Sequence, residues 1–130
     1  MYATANRYGA NQYAQVHNVG GLAEETPHRL IQMLMEGFIA RINSAKGAMA
    51  HDDLAGKSTF ISKALGILGG LNESLDLQQG GEIAENLRRL YEYMSMRLLE
   101  ASHENNLDKL DEVLGLMRDI KEAWDAIGQA

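Results

Sequence analysis

Ile83-Ala84-Glu85-Asn86-Leu87-Arg88-Arg89-Leu90-Tyr91-Glu92-Tyr93-Met94-Ser95-Met96-Arg97-Leu98-Leu99-Glu100-Ala101 is the stretch on which the fold turns. Ile83, Leu87, Leu90, Met94, Leu98 and Ala101 recur at steps of three and four, which puts them on one apolar helical face. Tyr91 lies beside that face. The pattern predicts a helix from about Gly81 to His103, with Gln78 to Gly81 as the turn before it. Glu104-Asn105-Asn106 is the turn after it, and a further stripe follows in Leu110, Val113, Leu114, Met117, Ile120, Trp124 and Ile127. Asp108, Asp111 and Glu112 load the start of that helix with acid, as the helix dipole favours.

Upstream, Thr26-Pro27 supplies an N-cap and a proline at the first helical position. Ile31, Leu34, Phe38, Ile42, Ala45 and Met49 then mark a helix to about Ala50, closed by His51-Asp52-Asp53. A second helix is predicted from about Ser58 to Leu77 on Ile61, Ala64, Leu68, Leu71 and Leu75. Gly66, Gly69 and Gly70 each cost ~1 kcal/mol against Ala in such a helix. The stripe crosses them without a phase jump, so close backbone packing, rather than a break, is the reading that accounts for them. Residues 1–25 carry no such stripe. Up to Ala23 their only formal charge is Arg7, Gly20-Gly21 interrupts them, and they hold Tyr2, Tyr8 and Tyr13. They read as a flexible arm. The expected fold is all-α, an antiparallel up-down-up-down four-helix bundle over residues 26–130 behind an N-terminal arm.

Composition narrows the function. At 130 residues the chain makes one domain, and 45% hydrophobic residues rule out a mostly disordered one. It has no cysteine, which excludes a disulfide scaffold or a Cys-ligated metal and fits a reducing compartment. A net charge of −6 argues against a nucleic-acid surface, and no apolar run suggests membrane insertion. Two Glu-x-x-His pairs, Glu25/His28 and Glu100/His103, would fall about a helix length apart in an antiparallel bundle, so no metal site is expected. Gly56-Lys57-Ser58 lacks the first glycine and the strand of a phosphate loop, and it reads as a turn opening a helix. No triad or acid–base pair assembles; neither catalysis nor a cofactor is expected.

What remains is apolar surface in excess of one seam. Met33, Met96, Phe60, Leu65, Ile67 and Leu99 fall off the stripes, which suggests a groove for another amphipathic chain. Met94 is assigned to the core. Ile67, Leu71, Tyr91 and Leu114 are assigned to that groove, core positions being the alternative. Tyr13 and Val16, with Val19, are expected to dock there from the arm. Trp124 is expected to be buried at one bundle end, near residues around Leu30 and Ile83.

Three stretches resemble the flagellar secretion chaperone family FliS: Tyr13-Ala14-Gln15-Val16 with Pro27-His28-Arg29-Leu30-Ile31-Gln32-Met33-Leu34; Gly80-Gly81-Glu82-Ile83-Ala84-Glu85-Asn86-Leu87 with Leu90-Tyr91-Glu92-Tyr93-Met94; and Ala123-Trp124. The sequence departs from the family pattern at Met35-Glu36-Gly37-Phe38, where Met stands for an aromatic residue and Phe for Ala, and in the glycines of the second helix. The resemblance implies a cytosolic export chaperone. It would bind the disordered C-terminal segment of flagellin, prevent premature polymerisation and deliver it to the gate of the flagellar type III export apparatus. It also implies an arm that folds back over the binding surface, with a homodimer through swapped arms within the family's range. A general helical adaptor in a regulatory complex and a metal-binding bundle enzyme are the alternatives.

Overall fold

The computed structural model describes residues 26–128. The arm of residues 1–25, with the docking expected of Tyr13, Val16 and Val19, lies outside them. Four helices follow in order: α1 (Pro27–Ala50), α2 (Leu54–Glu73), α3 (Leu77–Glu104) and α4 (Leu107–Gly128). Each packs on its neighbour in sequence, and α4 closes the ring against α1. The cross-links set the directions. Lys46 near the end of α1 pairs with Asp111 near the start of α4, whereas the Trp124 indole N–H near the end of α4 donates to the carbonyl of His28 (3.0 Å) near the start of α1. The result is the antiparallel up-down-up-down bundle.

Each start has a stated cause. The Thr26 hydroxyl accepts from the Arg29 N–H (3.1 Å), and Pro27 follows it. Asp53 accepts from the Gly56 N–H (2.9 Å) and Asp76 from the Gln79 N–H (2.9 Å). Asn106 does the same for Lys109 (3.2 Å). Helix α2 therefore begins at Leu54, a turn before the predicted Ser58, and ends at Glu73 instead of Leu77. Its first turn includes Lys57, whose side chain is only 7% exposed. The ammonium donates to the carbonyl of Ser102 (2.9 Å) and to Asn105 Oδ1 (2.7 Å). It thus lies at the negative end of α3, which Asn105 terminates in the left-handed conformation (φ 53°). In α3 a first turn precedes Gly81, whose φ of 54° kinks the chain before the rest of the helix.

One expectation fails here. Helix α2 runs unbroken through Gly66, Gly69 and Gly70, but close packing does not account for them: a Cβ at any of the three would meet no atom within 4 Å. The close approach of α1 and α2 is at Gly37, where a Cβ would lie 3.5 Å from Ile67 Cδ1. Gly66→Ala and Gly69→Ala are therefore each expected to raise stability by about 0.5–1 kcal/mol, through a less flexible unfolded chain and better helix propensity. Chemical denaturation of the two variants measures this.

The core joins all four helices: Ile31, Phe38 and Ile42 of α1, Ile61, Leu68 and Leu71 of α2, Tyr91, Met94 and Leu98 of α3, and Leu110, Val113, Met117 and Trp124 of α4. Met94 is core and Met33 and Met96 are exposed, as the stripes require.

Candidate functional site

The seam between α3 and α4 has two unlike halves. Near the α3–α4 turn it is tied by polar bonds. Glu112 accepts from the Tyr93 hydroxyl (2.8 Å) and from Arg97 Nε (2.6 Å), and the Arg97 guanidinium lies 5.8 Å from the centre of the Tyr93 ring. Lys109 donates to Glu100 (3.2 Å) and Glu104 (3.1 Å). The bonds from Arg97 and Tyr93 hold the Glu112 carboxyl below its ordinary range, and those from Lys109 and Asn106 do the same for Glu104. These carboxylates are ionised clasps between the helices.

Toward the other end no further hydrogen bond or ion pair joins α3 to α4 among the described residues, and the seam opens. Ile83, Asn86, Leu87 and Leu90 of α3 face Asp119, Ile120, Ala123 and Trp124 of α4 across a groove of about 280 Å³. Its floor is Met35, a buried side chain of α1. An open, mainly apolar trough between helices is the shape that receives one face of an amphipathic segment.

Trp124 fixes the end of the groove. Its ring stacks on the His28 imidazole, with centroids 4.8 Å apart and planes 14° from parallel. With its indole bond to the His28 carbonyl, this buries it against the start of α1, and Ile83 lies beside it across the groove. Both neighbourhoods match the sequence expectation. Gln32 and Lys121 bond Asp125 next to this stack.

His28 Nε2 is buried without a hydrogen-bond partner. Burial lowers the pKa of this ring, more strongly than the nearby Asp125 carboxylate raises it. The folded state therefore prefers neutral His28, and the unfolded chain takes up the proton first. The stability associated with the neutral ring is present above the unfolded value of ~6.5 and is lost as the pH falls through the lower folded value. His28→Phe keeps the stack and removes the titration. Thermal unfolding of the wild type should lose more between about pH 7.5 and pH 5 than that of the variant. Equal losses would show that the proton does not act here.

A model of the family described as flagellar protein FliS matches residues 9–130. The chain belongs to the FliS family. Among its FliS relatives, a protein of Pseudomonas aeruginosa named flagellar secretion chaperone FliSB is 48% identical over 116 residues, 89% of this chain and 92% of its own length. The flagellar secretion chaperone FliS of Salmonella typhimurium is 40% identical over 120 residues, 92% of this chain and 89% of its own. That of Vibrio cholerae is 38% identical over 115 residues, 88% and 85% of the two chains.

Set in this FliS bundle, the residues assigned to the groove from sequence divide. Leu71, Tyr91 and Leu114 are buried core side chains, the alternative the sequence left open for them, and not part of the open groove lining. Tyr91 sits at the centre of the inward arc of α3, between Ala84, Met94 and Leu98, and burial raises its hydroxyl pKa. Ile67 is half-buried against Gly37. Phe60 and Leu65 are likewise partly buried against the core, while Leu99 is exposed. The groove is lined instead by Ile83, Leu87, Leu90 and Ile120, which the sequence reading placed on core stripes. Of the two Glu-x-x-His pairs, Glu25 lies outside the described residues; His28 stacks on Trp124 at one end of the bundle, and Glu100 is held by Arg97 and Lys109 at the other. Among the described residues no cluster of three His, Asp or Glu side chains could hold a metal, and no helix is long and apolar enough to cross a membrane.

Proposed function

We propose that the protein is a non-enzymatic flagellar export chaperone whose client is the C-terminal segment of flagellin. In the cytosol it would cover that segment's apolar stripes, prevent premature polymerisation and deliver flagellin to the export gate. The α3–α4 groove is the observation that carries the reading within the family: Leu87, Leu90, Ile120 and Ala123 form an open apolar lining above Met35. Ordering a disordered client costs several kcal/mol, so contacts beyond this one groove are required, and exposed Met33, Met96 and Leu99 supply adaptable apolar surface elsewhere on the bundle. Half-buried Ile67 would border such a contact.

The arm belongs to the same proposal. Its Tyr13 and Val16, with Val19, would shield apolar surface in the free protein and yield to the client, or dock on a second copy and so build a homodimer. Calorimetric titration with a flagellin C-terminal peptide tests the reading. Saturable binding at or below tens of micromolar, about −6 kcal/mol or more favourable, is expected. Tyr13→Ala should change that affinity without unfolding the bundle. Absence of a complex at these concentrations would overturn the chaperone reading.

A further inference from the structure

Glu112 and Asp119 lie seven residues apart on the α3-facing edge of α4, and seven residues bring a helix back to nearly the same angle. Opposite Glu112, α3 supplies Tyr93 and Arg97, and both bond it. The positions seven earlier on α3 are Asn86 and Leu90, and these, not a cation, face Asp119 across the groove. Asp119 has no hydrogen bond or ion pair among the described residues. Its own helix offers none either, since positions 115, 116, 122 and 123 are Gly, Leu, Glu and Ala. Where α3 and α4 are tied, an arginine closes the seam over a carboxylate. Where they are open, the carboxylate is kept and its arginine is replaced by leucine.

We propose that Asp119 is the specificity-determining residue of the groove, and that it selects a client helix carrying a Lys or Arg beside its apolar anchor. The client then supplies the missing cation: its apolar side chains occupy the space over Met35, Leu87 and Ile120, and its ammonium or guanidinium bonds Asp119 at the lip. The charge complementarity orients the segment and sets its register, because an apolar trough alone accepts a helix in several positions. Asn86 on the opposite lip adds an amide that donates or accepts. The inference rests on the proposed chaperone function and adds the chemistry by which the groove chooses.

The test is a coupling measurement on the full chain. A flagellin C-terminal peptide and its single Lys→Gln or Arg→Gln variants are titrated into wild type and Asp119→Asn. Asp119 makes no bond within the described bundle, so unfolding of the variant should match the wild type. Asp119→Asn should weaken the parent peptide about fivefold, with a flatter salt dependence, and Asp119→Lys should weaken it further. One peptide variant should lose about as much on the wild type yet lose nothing more on Asp119→Asn. Wild-type affinity for Asp119→Asn, or purely additive losses with every peptide, would overturn the inference. Leu87→Ala and Ile120→Ala separate the two readings. If they weaken binding while Asp119→Asn does not, the groove stands and the charge selection falls. If the wild type binds no peptide, both fall.

Discussion

Leu90→Arg is expected to lower affinity for the flagellin segment by about tenfold or more while leaving the bundle folded. Leu90 is only partly buried and lines the groove opposite Asp119. An arginine there recreates, one heptad along, the arrangement in which Arg97 bonds Glu112. Its aliphatic stem can lie along Ile120 while its guanidinium reaches Asp119, so the protein fills its own groove. The variant thereby removes an apolar anchor and the free carboxylate together. Calorimetry for affinity and thermal unfolding for integrity separate this outcome from simple destabilisation. Unchanged affinity would show that the client binds elsewhere.

Leu71→Ala should have the opposite profile. Leu71 is fully buried, in the same core as Tyr91 and Leu68. Truncation should destabilise by roughly 2–5 kcal/mol, through lost burial and the cavity left behind. For a four-helix unit of this size that corresponds to a fall in Tm of roughly 10–20 °C or more. Affinity measured at a temperature where the variant is still folded should stay near wild type. A large affinity loss with little change in Tm would return Leu71 to the binding surface.

The contrast between Leu90 and Leu71 shows what the sequence carried. The four stripes, Thr26-Pro27 and the acidic start of α4 act within one helix or one turn, so spacing and residue type were enough to read them. Helix α2 began early because Asp53 caps it and Lys57 turns inward to the end of α3, a partner 45 residues away. A Gly-Lys-Ser triplet read alone looks like a turn that precedes the helix, since glycine disfavours a helix interior and a cation its first turn. The glycines of α2 were legible as a cost but not as surface positions, because open space beside a helix is a property of its neighbours.

The site was harder to read for a related reason. Leu90 and Tyr91 are adjacent, and each helical residue turns the chain by about 100°, so both sit within the arc a stripe can cover. Which one becomes core depends on where α4 approaches α3. The packing puts Tyr91 at the centre and Leu90 at the lip. The one signal that could have located the groove was the absence of a cation opposite Asp119, and using it requires the α3–α4 register.

The chain's lack of cysteine allows a direct measurement of the central claim, that the client occupies the α3–α4 groove. Ala123→Cys places a single thiol in the groove lining at an exposed position. Its alkylation rate is measured with and without a flagellin C-terminal peptide, whose binding to the variant is verified by calorimetry. With free peptide at about ten times its Kd, occupancy should slow alkylation by about tenfold. Saturable binding with an unchanged alkylation rate would contradict the account.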